Sequence, residues 1–214
     1  AQFASTIFHP VLLPTWMFLV FIFSGICKVS FVKADICLAI VFVTTFVFPI
    51  ISLLVLKKFK VIESLLMEKR EDRFIPLFIM VIFLYVTSRF FKGISSLAIY
   101  NFYLICNMIL CIIVFWINFF WKISMHGIGW GAFVATLVIL SSISSLLYFP
   151  FLISSIFISG IVGSARLYLK SHNESQVYAG FIVGFIVVFA IYQLTINSWQ
   201  LTITHWRVST NFQF

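Results

Sequence analysis

Long apolar runs separated by short polar segments fill most of this chain. Seven runs can be distinguished, and they lie at about residues 11–27, 36–56, 74–91, 97–121, 130–147, 151–165 and 177–199. Each is close to the roughly 20 apolar residues that an α-helix needs to cross a bilayer. The pattern predicts an all-α, polytopic membrane helical bundle of six to seven transmembrane helices, forming one membrane domain over residues 1–214. A corner at Tyr148-Phe149-Pro150 is expected to separate the fifth span from the sixth.

Three of the intervening polar segments carry most of the ionisable residues. They span residues 57–73, 121–129 and 165–176, and we call them the first, second and third polar segments. Two predicted spans separate each segment from the next. All three segments should therefore emerge on the same side of the membrane.

The first polar segment also carries a helical pattern. Its apolar residues recur at spacings of three and four, namely Phe59, Ile62, Leu65 and Leu66. This spacing predicts an interfacial amphipathic helix over residues 57–73 that lies on the membrane surface. The tail at residues 200–214 alternates polar and apolar residues without a clear period, and we assign it no role.

Composition supports the membrane assignment and narrows the choice of ligand. Hydrophobic residues make up 63% of the chain and charged residues 9%, which excludes an ordinary soluble domain. The formal charge of +8 falls on no polar basic face that could carry nucleic acid, so we expect membrane lipids or a phosphate ligand as its partner. The four cysteines show neither a CxxC motif nor a Cys/His metal spacing, and we expect no metal and no cofactor.

The polar segments contain the residue types that phosphate chemistry needs. A phosphate ester needs fixed cations for its oxygens, a nucleophile, and an acid that protonates the leaving group. Lys69, Arg73 and Arg166 are candidate cations. His126 and His172 are a candidate acid and nucleophile, because imidazole titrates near neutral pH and can serve in either role. His9 lies outside the three segments, and we expect a structural role for it.

The spacing of these residues carries a family resemblance. By segment, the residues concerned are Lys69, Arg73 and Pro76; Ser124 and His126; and Arg166 and His172, followed by the apolar run Val177 to Gly180. They resemble the three motifs of the type 2 phosphatidic acid phosphatase superfamily, a family of membrane lipid phosphatases. This chain departs from the family pattern at Ala165 (Ser in the family), Met125 (Gly) and Gln176 (Asp).

The resemblance implies a role for each matching residue. His172 would be the nucleophile that forms a phospho-histidine, and His126 the general acid. The phosphate-binding residues would be Lys69, Arg73, Ser124 and Arg166, while Gln176 would occupy the position that orients the nucleophile. The implied activity is hydrolysis of a phosphate monoester or diphosphate on a lipid substrate, without a metal, by a multi-pass protein of a bacterial inner membrane.

An alternative from another functional class stays open at this point. The chain could be a catalytically impaired, phosphatase-like subunit of a larger membrane complex. The substitutions at Gln176, Ala165 and Met125 favour this reading. A transporter or channel has little support, because the predicted spans carry almost no buried charge.

Overall fold

A computed structural model describes the backbone of residues 1, 6–25, 31–65, 67 and 69–209, and the side chains of this part except 31, 32, 145, 146 and 196–209. The described residues form helices and turns without any strand. The α-helices in this part, numbered in chain order, are α1 (Leu13–Phe23), α2 (Phe31–Phe42), α3 (Phe48–Lys58), α4 (Phe74–Phe91), α5 (Ala98–Phe120), α6 (Met125–Ile143), α7 (Ser145–Tyr168) and α8 (Glu174–Ser209). A π-helical turn, Val43–Val47, joins α2 to α3 in one continuous rod.

Six helical segments among the described residues are long and apolar enough to cross a membrane. The α2 to α3 rod supplies one of them and α4 to α8 supply the others, while the helix Pro10–Phe23 is shorter. The prediction of an all-α, polytopic membrane bundle is confirmed.

The turn between the fifth and sixth predicted spans lies elsewhere than expected. Helix α6 ends at Ile143, and only Ser144 separates it from α7. Ser144 has a non-helical backbone, with φ −147° and ψ 87°. The predicted corner at Tyr148-Phe149-Pro150 is therefore wrong, since Pro150 lies inside α7, as membrane helices allow.

The first polar segment does not form the interfacial helix that its spacing predicts. Helix α3 ends at Lys58, and the described residues between 59 and 70 form turns. Two of them, Lys60 and Met67, have positive φ values of 57° and 48°. Backbone groups in these turns form hydrogen bonds with side chains and not with the backbone groups of a helix. Asp72 accepts a hydrogen bond from the Glu63 amide (3.2 Å), and Arg73 donates one to the Met67 carbonyl (3.1 Å).

Glycines bring the backbones of α6 and α8 into direct contact. A Cβ atom at Gly127 would lie 2.7 Å from the Val177 carbonyl oxygen, and one at Gly180 would lie 2.7 Å from that of Ser124. One turn further along, a Cβ at Gly131 would overlap the Phe181 carbonyl. Two Gly-x3-Gly pairs, Gly127 with Gly131 and Gly180 with Gly184, thus face each other, as in close-packed membrane helices.

The contacts also show that α6 and α8 run parallel and begin side by side. Gly127 meets the first turns of α8, and Gly131 meets residues one turn later. A hydrogen bond of 3.2 Å from the Ser124 amide to the Gln176 carbonyl joins the two helix starts directly. The second and third polar segments are therefore neighbours in space.

The segment before α1 packs on the same end of α6. A Cβ at Gly129 would come within 2.7 Å of the Leu13 side chain and 3.1 Å of Pro10. Trp130 fixes the segment from the other side by donating its indole N–H to the Phe8 carbonyl at 3.2 Å. His9 lies between these two contacts.

Substituting Gly131 should separate the two central helices. We expect Gly131→Ala to lower the free energy of unfolding by roughly 1–3 kcal/mol, because the added methyl group meets rigid backbone. Gly160→Ala is the matched control, since a Cβ at Gly160 of α7 meets nothing within 4 Å. Alanine should leave stability there unchanged or slightly higher. Thermal unfolding of the purified variants in detergent compares them, and equal stability of the two would contradict the packing described here.

Candidate active site

A cavity of about 560 Å³ lies beside the starts of α6 and α8. Such a volume falls in the range of roughly 300–1,000 Å³ that is typical of small-molecule sites. Its polar lining includes five ionisable side chains, His9, Arg73, His126, Arg166 and His172. The lining residues include neither Asp nor Glu among the described part of the chain. The cavity is therefore suited to an anion.

The remaining walls of the cavity are almost entirely apolar. They come from α1, α3, α4 and α5, and include Pro49, Leu53, Leu84 and Leu110. Leu84 and Leu110 lie near the middle of α4 and α5, so the cavity extends from the polar segments towards the membrane interior. An anionic group attached to an apolar chain matches this division.

The cavity brings together residues from all three polar segments. Arg73 comes from the first segment, His126 from the second, and Arg166 and His172 from the third. This arrangement is the one expected from counting membrane crossings along the sequence. The parallel contact between α6 and α8 brings the second and third segments together, and the hydrogen bond from Arg73 to the Ile123 carbonyl joins the first segment to the second.

His172 is held by the side chain of Gln176. The imidazole Nδ1 lies 2.9 Å from the Gln176 Oε1 atom. The Asn173 amide also donates to that atom at 3.3 Å, which identifies it as the oxygen of the Gln176 side chain because an amide N–H requires an acceptor. Nδ1 of His172 must then carry a proton and donate it to Gln176. In the neutral ring, the lone pair is therefore on Nε2.

The surroundings keep the His172 ring neutral at physiological pH. Its pKa is lowered from 6.5 to about 4, mainly by burial. The hydrogen bond with Gln176 acts in the opposite direction, and the positive charges of Arg73, Arg166 and Lys122 add to the lowering. Only 8% of the residue is exposed. A neutral imidazole with a defined tautomer is the form that can act as a nucleophile.

Arg73 connects the first polar segment to the second. Its Nε donates to the Met67 carbonyl at 3.1 Å, and its Nη1 donates to the Ile123 carbonyl at 2.9 Å. The residue is only 4% exposed. These bonds use two of the five guanidinium N–H groups, so Arg73 both fixes the loop and keeps donors for a ligand.

Arg166 lies in the last turn of α7 and also lines the cavity. Its positive charge lowers the pKa values of both His9 and His172. The guanidinium therefore lies within electrostatic range of two of the three histidines. An anion bound in the cavity would face this charge as well as that of Arg73.

Two residues predicted to bind phosphate lie apart from the cavity lining. Lys69 is exposed, and its ammonium group forms an ion pair of 2.6 Å with Glu63, which raises the pKa of the lysine. Ser124 is fully buried as the N-cap of α6, where its hydroxyl accepts a hydrogen bond of 3.2 Å from the Gly127 amide. Neither side chain lines the cavity. Their assignment to the phosphate cradle stays a prediction.

His9 is a site residue that the sequence reasoning placed elsewhere. It lines the cavity, and its ring packs edge to face on His126, with ring centroids 5.0 Å apart and an interplanar angle of 83°. The expected structural role of His9 stays a prediction, but its ring lies inside the site. The crossing count could have suggested this, because it also puts residues 1–9 on the side of the three polar segments.

Comparison with known proteins adds no assignment to this geometry. No protein-family model matches the chain, and no curated protein or solved structure shows significant similarity to it. The resemblance to lipid phosphatases therefore depends on the motif residues alone. Within the described residues, no group of three or more His, Cys, Asp or Glu side chains is arranged to hold a metal ion.

Acid should destabilise the protein through His172. Its pKa is about 4 in the folded chain and 6.5 for an ordinary histidine, so between these values the unfolded state binds a proton that the folded state does not. The free energy of unfolding should fall as the pH drops through this window and should be constant above about pH 7. His9 has the same shift and should add to the slope.

Thermal unfolding in detergent over a pH series measures this dependence. His172→Gln should make the acidic slope shallower and leave the plateau above neutral pH flat. An unchanged slope in this variant would show that His172 is protonated in the folded chain at the same pH as in the unfolded chain.

Proposed function

We propose that this chain is a membrane phosphatase that hydrolyses a phosphate monoester or diphosphate on a lipid, through a phospho-histidine formed on His172. One observation carries the proposal. Arg73, Arg166, His126 and His172 line a single cavity whose other walls are apolar and continue towards the membrane interior. The cationic end suits a phosphate group and the apolar walls suit the lipid chain.

The first chemical step uses the lone pair on Nε2 of His172. This nitrogen attacks phosphorus in line with the bond to the lipid oxygen, so that a P–N bond forms as the P–O bond breaks. The Nδ1 proton stays on the ring, donated to Gln176. His126 acts as the general acid, a role that requires it to carry a proton when the anionic substrate is bound. It transfers this proton to the departing lipid oxygen, and the lipid leaves as an alcohol or, from a diphosphate, as a monophosphate.

The second step releases the phosphate. His126, now neutral, accepts a proton from a water molecule whose oxygen attacks phosphorus. The P–N bond breaks, the electron pair returns to Nε2, and inorganic phosphate forms. Both histidines then have their starting protonation, and no redox or metal chemistry enters the balance. Arg73 and Arg166 stabilise the charge on the phosphoryl oxygens in both steps.

Gln176 determines how efficient this chemistry can be. Its amide oxygen fixes the tautomer and the orientation of His172, but it adds no negative charge opposite the imidazolium that forms when Nε2 bonds to phosphorus. This feature favours the second candidate function, a subunit that binds a lipid phosphate without hydrolysing it. Activity measurements distinguish the two.

The decisive assay uses purified protein in detergent, a panel of lipid phosphates, and EDTA in the buffer. We expect phosphate release that EDTA does not suppress and that His172→Ala reduces by about three orders of magnitude or more. Tyr178→Ala is a suitable control, because Tyr178 is 60% exposed on α8 near the same end of the helix. Release that persists in His172→Ala would rule out the phospho-histidine, and the absence of release from the unmodified chain would favour the binding subunit.

A carboxylate at position 176 should speed up the reaction. Glu has the length of Gln, so in Gln176→Glu one oxygen can accept the same hydrogen bonds from His172 and Asn173 while adding a negative charge beside the ring. We expect kcat to rise by roughly ten-fold, because the charge stabilises the imidazolium. Gln176→Leu is the contrasting variant and should lower kcat. Equal kcat values in the Glu and Leu variants would show that residue 176 does not act on the nucleophile.

A further inference from the structure

We propose that His9 is a third histidine of the site, which binds the phosphate group of the substrate by donating the hydrogen on Nε2 to a phosphoryl oxygen. The proposal rests on the function proposed above, because it needs a phosphate ligand in the cavity. No motif of the resembling family includes a residue in this part of the chain.

The fold holds His9 against the other site residues. Pro10 and Leu13 press against Gly129 on one side, and Trp130 binds the Phe8 carbonyl on the other. The ring between these contacts lines the cavity and stacks edge to face on His126. A residue with these neighbours meets the same ligand as His126.

The hydrogen bonds of His9 determine which nitrogen carries the proton. Nδ1 accepts a hydrogen bond of 3.3 Å from the Val11 amide, as N-cap of the short helix Pro10–Leu12. An accepting Nδ1 has no hydrogen, so in the neutral ring the hydrogen is on Nε2. Nε2 lies in the part of the ring away from Cβ, so the donor is at the distal end of the side chain.

Burial and a nearby positive charge keep this donor neutral. Burial, with a smaller contribution from the positive charge of Arg166, lowers the pKa of His9 to about 4. The ring keeps some accessible surface because it lines the cavity. A neutral donor binds an oxyanion without adding to the repulsion among the cations that Arg73 and Arg166 already bring to the cavity.

Two substitutions separate the donor of His9 from its capping function. Asn places an oxygen near the position of Nδ1, so His9→Asn keeps the cap of the short helix and loses the distal donor. Gln reaches the position of Nε2 with its amide NH₂ group, so His9→Gln keeps the donor and loses the cap. The proposal predicts that His9→Gln keeps the affinity for phosphate and loses thermal stability. It predicts the reverse for His9→Asn, which should keep thermal stability and lose affinity for phosphate.

The experiment measures binding of inorganic phosphate to the full-length chain in detergent, by calorimetry and by the shift in melting temperature. We expect His9→Asn to weaken binding by roughly ten-fold or more, since a hydrogen bond to a charged group is lost. His9→Gln should bind phosphate with a Kd within about three-fold of that of the unmodified chain. On the free-energy scale this change is less than half of the ten-fold loss expected for His9→Asn. Phosphate binding by His9→Asn that equals the unmodified chain would overturn the proposal, and so would equal weakening in the two variants.

Nitrogen-15 spectra of the unmodified protein give the same test without substitution, in case a variant does not fold. Phosphate should shift the Nε2 resonance of His9 and leave its Nδ1 resonance nearly unchanged, and no shift would overturn the proposal.

Failure of the proposed phosphatase function can be distinguished from failure of the proposed role of His9. If the chain binds phosphate through His9 but releases none from lipid phosphates, the catalytic assignment is contradicted and the proposed role of His9 is retained. If the chain binds no phosphate, the proposed role of His9 is contradicted directly.

Discussion

The architecture of the site depends on the direct contact between the backbones of α6 and α8. Four glycines in two facing pairs allow this contact, and a side chain at Gly131 or Gly184 would push against a carbonyl of the other helix. The two helices run parallel, so the contact also sets their starting residues side by side. His126 and His172 come from these two starts. Packing of the two helices thus determines which side chains meet at their starts.

Gln176 shows how one side chain can serve the fold and the site together. Its side-chain oxygen accepts a hydrogen bond from the backbone N–H of Asn173 at 3.3 Å, and its backbone N–H donates to the side-chain oxygen of Asn173 at 2.9 Å. This pair of bonds is a reciprocal cap for the start of α8. The same oxygen orients His172. The cap positions the oxygen before any ligand arrives, so the tautomer of His172 follows from the way in which the helix begins.

The sequence allowed the membrane bundle and the convergence of the three polar segments to be predicted, because run lengths and crossing counts need no tertiary contact. It could not reveal the turns of the first polar segment, since a spacing of three and four does not show that Arg73 and Asp72 bind the backbone there. The turn at Ser144 was missed because Pro150 was taken as a helix breaker. His9 was missed because its position depends on how the N-terminal segment packs on Gly129, a contact between residues far apart in the chain.

The shared orientation of α6 and α8 has an electrostatic consequence beyond the placement of side chains. The start of a helix carries a positive potential equivalent to roughly half an elementary charge, because its peptide dipoles are aligned. Two such starts lie beside the cavity, which His126 and His172 line. This part of the electrostatic attraction for an anion comes from the backbone of the two helices. It neither titrates with pH nor disappears when a histidine or an arginine is replaced.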